Sequence, residues 1–68
     1  MMNEETAKIT EAREKISIAM KEFEQFCVSM MHSKGYEDFQ IRSIVYAELS
    51  KLGTSIEIIE QYLKIMVS

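Results

Sequence analysis

Hydrophobic residues recur every three or four positions along both halves of this 68-residue chain. That spacing is typical of amphipathic helices, whereas strands would need alternation with a period of two. In the first half the steps between apolar or small residues are 3, 4, 3, 4, 3 and 4, the a/d pattern of a heptad seam. The residues of this seam are Ile9, Ala12, Ile16, Ala19, Phe23, Phe26 and Met30. We therefore predict a first helix over about 4–33, with Asn3 as its N-cap.

The second half contains a local signal for a break. Gly53 would cost about 1 kcal/mol inside a helix, and Thr54 with Glu57 three residues later resembles a capping box. The heptad phase nevertheless passes through Gly53 without a slip. It runs along Val45, Leu49, Leu52, Ile56, Ile59, Leu63 and Met66. Burying each Leu or Ile contributes roughly 1.5–3 kcal/mol, so the phase predicts one helix over about 38–66. A break at Gly53 that creates a three-helix bundle is the alternative.

The stretch between the two patterns, HSKGYED, predicts a short loop over about 34–37 with Gly35 just beyond the end of the first helix. Two helices of nearly equal length joined by such a loop pack antiparallel. The sequence therefore predicts a single all-α domain over 1–68, folded as an antiparallel two-helix hairpin with a heptad seam.

A hairpin with that seam leaves an apolar surplus, because one facing helix covers only a narrow stripe. Monomers rarely expose a large apolar patch, so we expect this surplus to bind a partner. The predicted partner-binding residues of the second helix are Ile41, Ile44, Ile58, Tyr62 and Ile65. Those of the first helix are Met20, Cys27 and Met31.

Charge and cysteine content narrow the classes of function. The net charge is -3 and the eight basic residues are scattered, which argues against binding to a nucleic-acid backbone. The stretch ELSKLGTSIEIIEQYL resembles a helix-turn-helix motif. Its second helix would place the acidic residues Glu57 and Glu60 against DNA, and the phosphates would repel them, which argues against DNA binding. Cys27 is the only cysteine, so no internal disulfide can form and a reducing cytoplasm is expected. The polar, acidic start predicts no signal peptide, and the short apolar runs predict no membrane span.

Catalytic and metal-binding motifs are missing from the sequence. His32 is the only histidine and is expected to be a solvated residue at a helix end. Cys27 lies in a strongly apolar stretch, where an inert thiol is expected. We therefore predict a protein that is not an enzyme and that uses neither a metal nor another cofactor.

Two features of the second half resemble a known family. They are the aromatic-Gln pair Phe39-Gln40 near the start of the second helix and the Ile-rich run SIEIIEQY, which contains Ile56, Ile58, Ile59 and Tyr62. Together with the hairpin outline and the chain length, they resemble the small cochaperones of the type III secretion needle subunit. Gly53 departs from the family's uninterrupted second helix.

The resemblance implies a role in the cytoplasm of a Gram-negative bacterium. Such proteins pair with a larger helical-repeat chaperone, and the two keep the needle subunit soluble until export. The apolar surplus would then fill a groove of the partner. The competing hypothesis is a small self-associating regulator or a phage-encoded inhibitor that acts by protein–protein contact. Two hairpins of that kind would pair as a homodimer in a four-helix bundle.

Overall fold

The computed structural model describes residues 3–68, and this part of the chain contains two helices and no strand. The first helix, α1, is Glu4–Ser33. The second helix, α2, spans 38–67 and has three consecutive segments: α-helical Asp38–Ile41, π-helical Arg42–Tyr46 and α-helical Ala47–Val67. The two helices pack against each other along their length, which confirms the predicted all-α antiparallel hairpin.

The ends of the helices form where local chemistry favours them. The Asn3 side chain accepts a hydrogen bond of 2.7 Å from the Thr6 N–H, as expected of an N-cap. At the other end of α1, Gly35 has a φ of 90°, a backbone conformation that glycine adopts without strain. The Tyr36 N–H donates to the Met31 carbonyl and the Gly35 N–H donates to the His32 carbonyl. This pattern is a Schellman motif, and it turns the chain toward α2.

Gly53 lies inside α2, and the helix continues through it. The Thr54 hydroxyl donates a 3.1 Å hydrogen bond to the Ser50 carbonyl one turn earlier, which is the behaviour of a mid-helix threonine. Thr54 is therefore not an N-cap, and the three-helix alternative with a break at Gly53 is wrong. The heptad spacing of hydrophobic residues therefore predicted a continuous α2 correctly, whereas the capping signal at Thr54 was misleading.

The line along which the two helices meet holds little hydrophobic core. Among residues 3–68 only Ile41 and Val45 are buried, and both are in the part of α2 nearest the loop. Other side chains of this contact row are half-buried. On α1 the contact row consists of Thr6, Thr10, Arg13, Met20, Glu24, Cys27 and Met31. On α2 it consists of Ile41, Val45, Leu49, Gly53, Ile56, Glu60, Lys64 and Val67.

The contact row corrects the predicted seam on α1. Seam residues from Ala12 to Met30 are exposed, and only Ile9 is half-buried. The contact row has heptad spacing too, but each of its positions comes one residue later, which rotates the helix by about 100°. On α2 the prediction holds for Val45, Leu49 and Ile56, whereas Leu52, Ile59, Leu63 and Met66 are exposed.

A π-helical turn follows Ile41 and contains Val45. Its Ala47 N–H donates to the Arg42 carbonyl five residues earlier, so this turn contains more residues than an α-helical turn. The contact row of α2 accordingly advances by four residues at a time from Ile41 through Val45 and Leu49 to Gly53.

Candidate protein-binding surface

A groove on one side of the hairpin establishes which residues of the two helices share a face. The groove has a volume of about 480 Å³ and is lined by Lys21 of α1 together with Tyr46, Ser50 and Glu57 of α2. Each of these residues immediately follows a member of the contact row. Residues with the same offset from the contact row therefore lie on the same side, as the local two-fold symmetry of an antiparallel helix pair requires.

The opposite side is formed by the residues that immediately precede the contact row. They include the large hydrophobic side chains of the predicted α1 seam and hydrophobic residues of α2, together with the charged residue Glu48. We call this surface the apolar face. Its α1 residues are Ile16, Phe23, Phe26 and Met30, and its α2 residues are Ile44, Leu52, Ile59, Leu63 and Met66.

Side chains of the apolar face are exposed to an unusual degree. Fractional exposure in this set runs from 40% at Leu63 to 76% at Met66, with 57% at both Phe23 and Phe26. Large exposed apolar patches mark interaction sites in soluble proteins. The apolar face is therefore the strongest candidate for a functional site on this chain.

The overall dimensions of the chain also differ from those of a compact domain of the same length. The chain measures 50 × 16 × 13 Å and its radius of gyration is 15.6 Å, whereas a compact domain of this length has a radius of about 11 Å. Its accessible surface is 5533 Å², whereas a compact monomer of the same mass exposes roughly 4,400 Å². The excess, about 1,100 Å², exceeds the roughly 800 Å² that each partner buries in a standard protein interface.

A second apolar area lies on the outer side of α2, away from α1. Ile58, Tyr62 and Ile65 are spaced by four and three residues, and they are 48%, 64% and 69% exposed. We call these three residues the edge patch. The outer side of α1 is different, because Lys8 and Lys15 there form ion pairs of 3.5 Å with Glu4 and Glu11. Only α2 thus offers an apolar outer edge.

The predicted partner-binding residues divide among these surfaces. Ile58, Tyr62 and Ile65 form the edge patch, and Ile44, 50% exposed, lies on the apolar face. Ile41 is only 2% exposed, so the proposal that it contacts a partner is wrong for the folded hairpin.

The residues predicted on α1 lie between the two helices. Met20, Cys27 and Met31 are half-buried in the contact row, because α1 is rotated by one residue from the predicted phase, and their contact with a partner stays a prediction. The heptad pattern predicted that the α1 residues of the apolar face would lie in the interior of the hairpin. The sequence carried no signal for the correct rotation, because the contact row includes the charged residues Arg13 and Glu24, which are normally expected at the surface.

The contact row carries a polar cluster near the open end of the hairpin. The Arg13 Nε donates a 3.2 Å hydrogen bond to Glu60 Oε2, and Lys64 Nζ lies 3.4 Å from the same oxygen. Partial desolvation acts to raise the pKa of Glu60, but the hydrogen bonds and positive charges of Arg13 and Lys64 outweigh it and lower the pKa below 4.5. This cluster aligns the two helices at one register.

A second polar contact lies at the loop end of the hairpin. His32 Nε2 and Asp38 Oδ1 are 2.7 Å apart and link the end of α1 to the start of α2 across the loop. In the described range, no group of three or more His, Cys, Asp or Glu side chains could hold a metal ion. Over the same part of the chain, no helix has the length and hydrophobicity needed to cross a membrane.

Comparison with known proteins adds no relative. No family model, curated protein or solved structure matches this chain. The class of protein is therefore defined by the fold and surface alone: an all-α helical hairpin with an exposed apolar face.

Proposed function

We propose that this chain is a non-catalytic binding protein that acts in the cytoplasm by packing its exposed apolar surface against another helical protein. The observation that carries this proposal is the combination of an apolar face and an edge patch on a hairpin that buries only two hydrophobic side chains within 3–68. A chain of this size gains little from such a core, so its folded monomer is only marginally stable. Binding supplies the missing burial.

Within this class, we propose that the protein is a cochaperone of type III secretion. Together with a helical-repeat chaperone, it would keep the needle subunit soluble before export. The support is the resemblance of Phe39-Gln40 and SIEIIEQY to that family, and the exposure of the three residues of the edge patch. A helical-repeat protein has a concave apolar groove that an amphipathic helix can enter.

The test is co-expression of the full chain with the needle subunit and the helical-repeat chaperone of the same bacterium. We expect a soluble ternary complex, and we expect Ile58→Asp or Ile65→Asp to abolish it, because either change would bury an unpaired carboxylate. The matched control is Ile18→Asp, since Ile18 is 61% exposed and lies next to Ser17 on the side of the groove.

Two results would contradict this proposal. One is a needle subunit that aggregates equally with and without the chain. The other is a complex that survives both edge-patch variants.

A further inference from the structure

We propose that the apolar face binds the apolar face of a second copy of this chain, so that two hairpins stack as a four-helix bundle. This inference goes beyond the cochaperone proposal and does not depend on it. The cochaperone proposal uses the edge patch on the outer side of α2, whereas the dimer uses the broad face formed by both helices. One copy can therefore be engaged by its twin and still present Ile58, Tyr62 and Ile65.

The heptad spacing of residues on the apolar face favours a partner whose helices run nearly parallel to α1 and α2. Its α1 positions from Ile9 to Met30 follow strict heptad steps, and its α2 positions continue that rhythm from Leu52 through Ser55 and Ile59. Heptad packing joins helices that cross at only about 20°. The 30 residues of α1 extend for about 45 Å, so the partner must offer two long, nearly parallel helices. A second copy of the hairpin does so.

The total surface of the chain leaves room for an interface of this kind. Each chain exposes about 1,100 Å² beyond a compact monomer of the same mass, and a standard interface buries about 800 Å² on each partner. Pairing with a second copy would therefore bury no more than this excess.

Charge sets a condition on dimerisation. Each chain carries a net charge of -3, so two copies repel each other, and the contact surface must not add further like charges. Along the α2 positions of the apolar face from Ile44 to Met66, Glu48 is the one charged residue, and its carboxylate lies 3.4 Å from the Lys51 ammonium of the same chain. Between Ile16 and Phe23 the face position of α1 is Ala19, and between Leu52 and Ile59 that of α2 is Ser55. The stretch of the face from Leu52 to Ile59 is therefore uncharged, and Glu48 beside it is paired within its own chain.

The first test measures the mass of the full chain by sedimentation equilibrium from 1 to about 100 µM, a range of ordinary dimer affinities. We expect a dimer of the 7.9 kDa chain. Phe23→Asp or Ile59→Asp should weaken dimerisation at least about a hundredfold, because a carboxylate would be buried without a partner. Ile18→Asp is the matched control, since Ile18 is as exposed as Phe23 but lies on the groove side, and it should leave the affinity unchanged.

The second test remains decisive if an aspartate variant fails to fold. Ser55 lies near the middle of the apolar face, and its neighbour Thr54 follows Gly53 on the groove side. In an isologous interface, central residues lie close to their own counterparts. On a Cys27→Ala background, Ser55→Cys should be cross-linked to a dimer by a short bis-maleimide, whereas Thr54→Cys should stay monomeric under the same conditions.

Three results would overturn the inference. The first is a wild-type chain that stays monomeric throughout the concentration range. The second is an Ile18→Asp variant that dissociates as strongly as Phe23→Asp. The third is cross-linking through Thr54→Cys and not through Ser55→Cys.

Discussion

The covered contact row of this hairpin is more polar than its exposed apolar face, which is the reverse of the arrangement in most small proteins. The contact row, which the hairpin covers, includes charged residues such as Arg13, Glu24 and Glu60. The apolar face, which the hairpin leaves open, is made of Phe, Ile, Leu and Met and has Phe23 and Phe26 at its α1 side. Hydrophobic residues of a monomeric domain would be expected to occupy the covered side.

This difference supports the proposal that the hairpin is one layer of a larger structure. Domains are built from packed layers that share a hydrophobic core, and a single layer has no second surface to pack against. The polar cluster of Arg13, Glu60 and Lys64 aligns the helices within the layer. The main hydrophobic contribution is available only when a second layer covers the apolar face.

The largest expected effect is on the free energy of unfolding when a side chain of the contact row, rather than one of the apolar face, is truncated to alanine. Ile41→Ala removes a side chain that is 2% exposed and should lower the free energy of unfolding by about 2–5 kcal/mol. Ile59→Ala, on the apolar face, should change the stability of the monomer by less than about 0.5 kcal/mol. Urea denaturation at several protein concentrations measures both.

Concentration makes this comparison sharper. The cost of Ile59→Ala should increase with protein concentration, because association stabilises the folded chain by mass action. An equally large cost for Ile59→Ala in dilute, monomeric protein would show that Ile59 belongs to the interior of the hairpin.

The next effect concerns the glycine of the contact row. Gly53→Ala should raise the free energy of unfolding by about 0.5–1 kcal/mol, because alanine favours the helix and restricts the unfolded chain. The added Cβ has room, since it would lie 3.7 Å from Met20 Cε, an ordinary van der Waals contact. Gly35→Ala is the control with the opposite sign, because Gly35 has a φ of 90°. Thermal melts of the two variants should shift in opposite directions, and a lower melting temperature for Gly53→Ala would contradict a continuous α2.

A further difference between the regions is their response to pH. The pKa of Glu60 is lower in the folded chain, so its charged form stabilises the fold above the unfolded-state pKa near 4.5. That contribution is lost as the pH falls through the lower, folded-state pKa. We expect Glu60→Gln to have a smaller loss of stability than the wild type between pH 5 and about pH 2. If the free energy of unfolding fell with pH by the same amount in both proteins, the cluster of Arg13, Glu60 and Lys64 would not contribute to the stability of the fold.

The smallest expected effect is that of Thr54→Ala. Its hydroxyl bonds back to the Ser50 carbonyl inside α2, so its loss should be neutral or stabilising by a few tenths of a kcal/mol, roughly. A loss near 1 kcal/mol, the usual cost of removing an N-cap, would instead indicate that a helix begins at this residue.

Continuity of α2 could be predicted from the sequence because the evidence is distributed over many residues. Seven apolar positions kept their phase across Gly53, and helical geometry preserves phase over that distance. The N-cap at Asn3 and the turn at Gly35 were predictable for a different reason. Each depends on a local backbone requirement that few residue types meet.

The rotation of α1 was not predictable in the same way. Periodicity identifies the most hydrophobic stripe of a helix, but it does not say whether the neighbouring helix or another chain covers that stripe. The α1 stripe was assigned to the neighbouring helix, whereas α2 meets the stripe that contains Arg13 and Met20. The π-helical turn was also missed, and its extra residue shifts the phase of Ile41 relative to the rest of α2.

The position of the two buried residues has a consequence for the order of folding. Ile41 and Val45 lie close to the loop, so their contacts with α1 close the shortest segment of chain and cost the least closure entropy. The open end is tied by weaker links, such as the 3.4 Å hydrogen bond from the Asn3 side chain to the Val67 carbonyl. We therefore expect the contacts between the helices to form first near the loop and last near the termini. Unfolding should begin at the termini. Amide hydrogens around Ile41 and Val45 should then be the slowest to exchange with solvent.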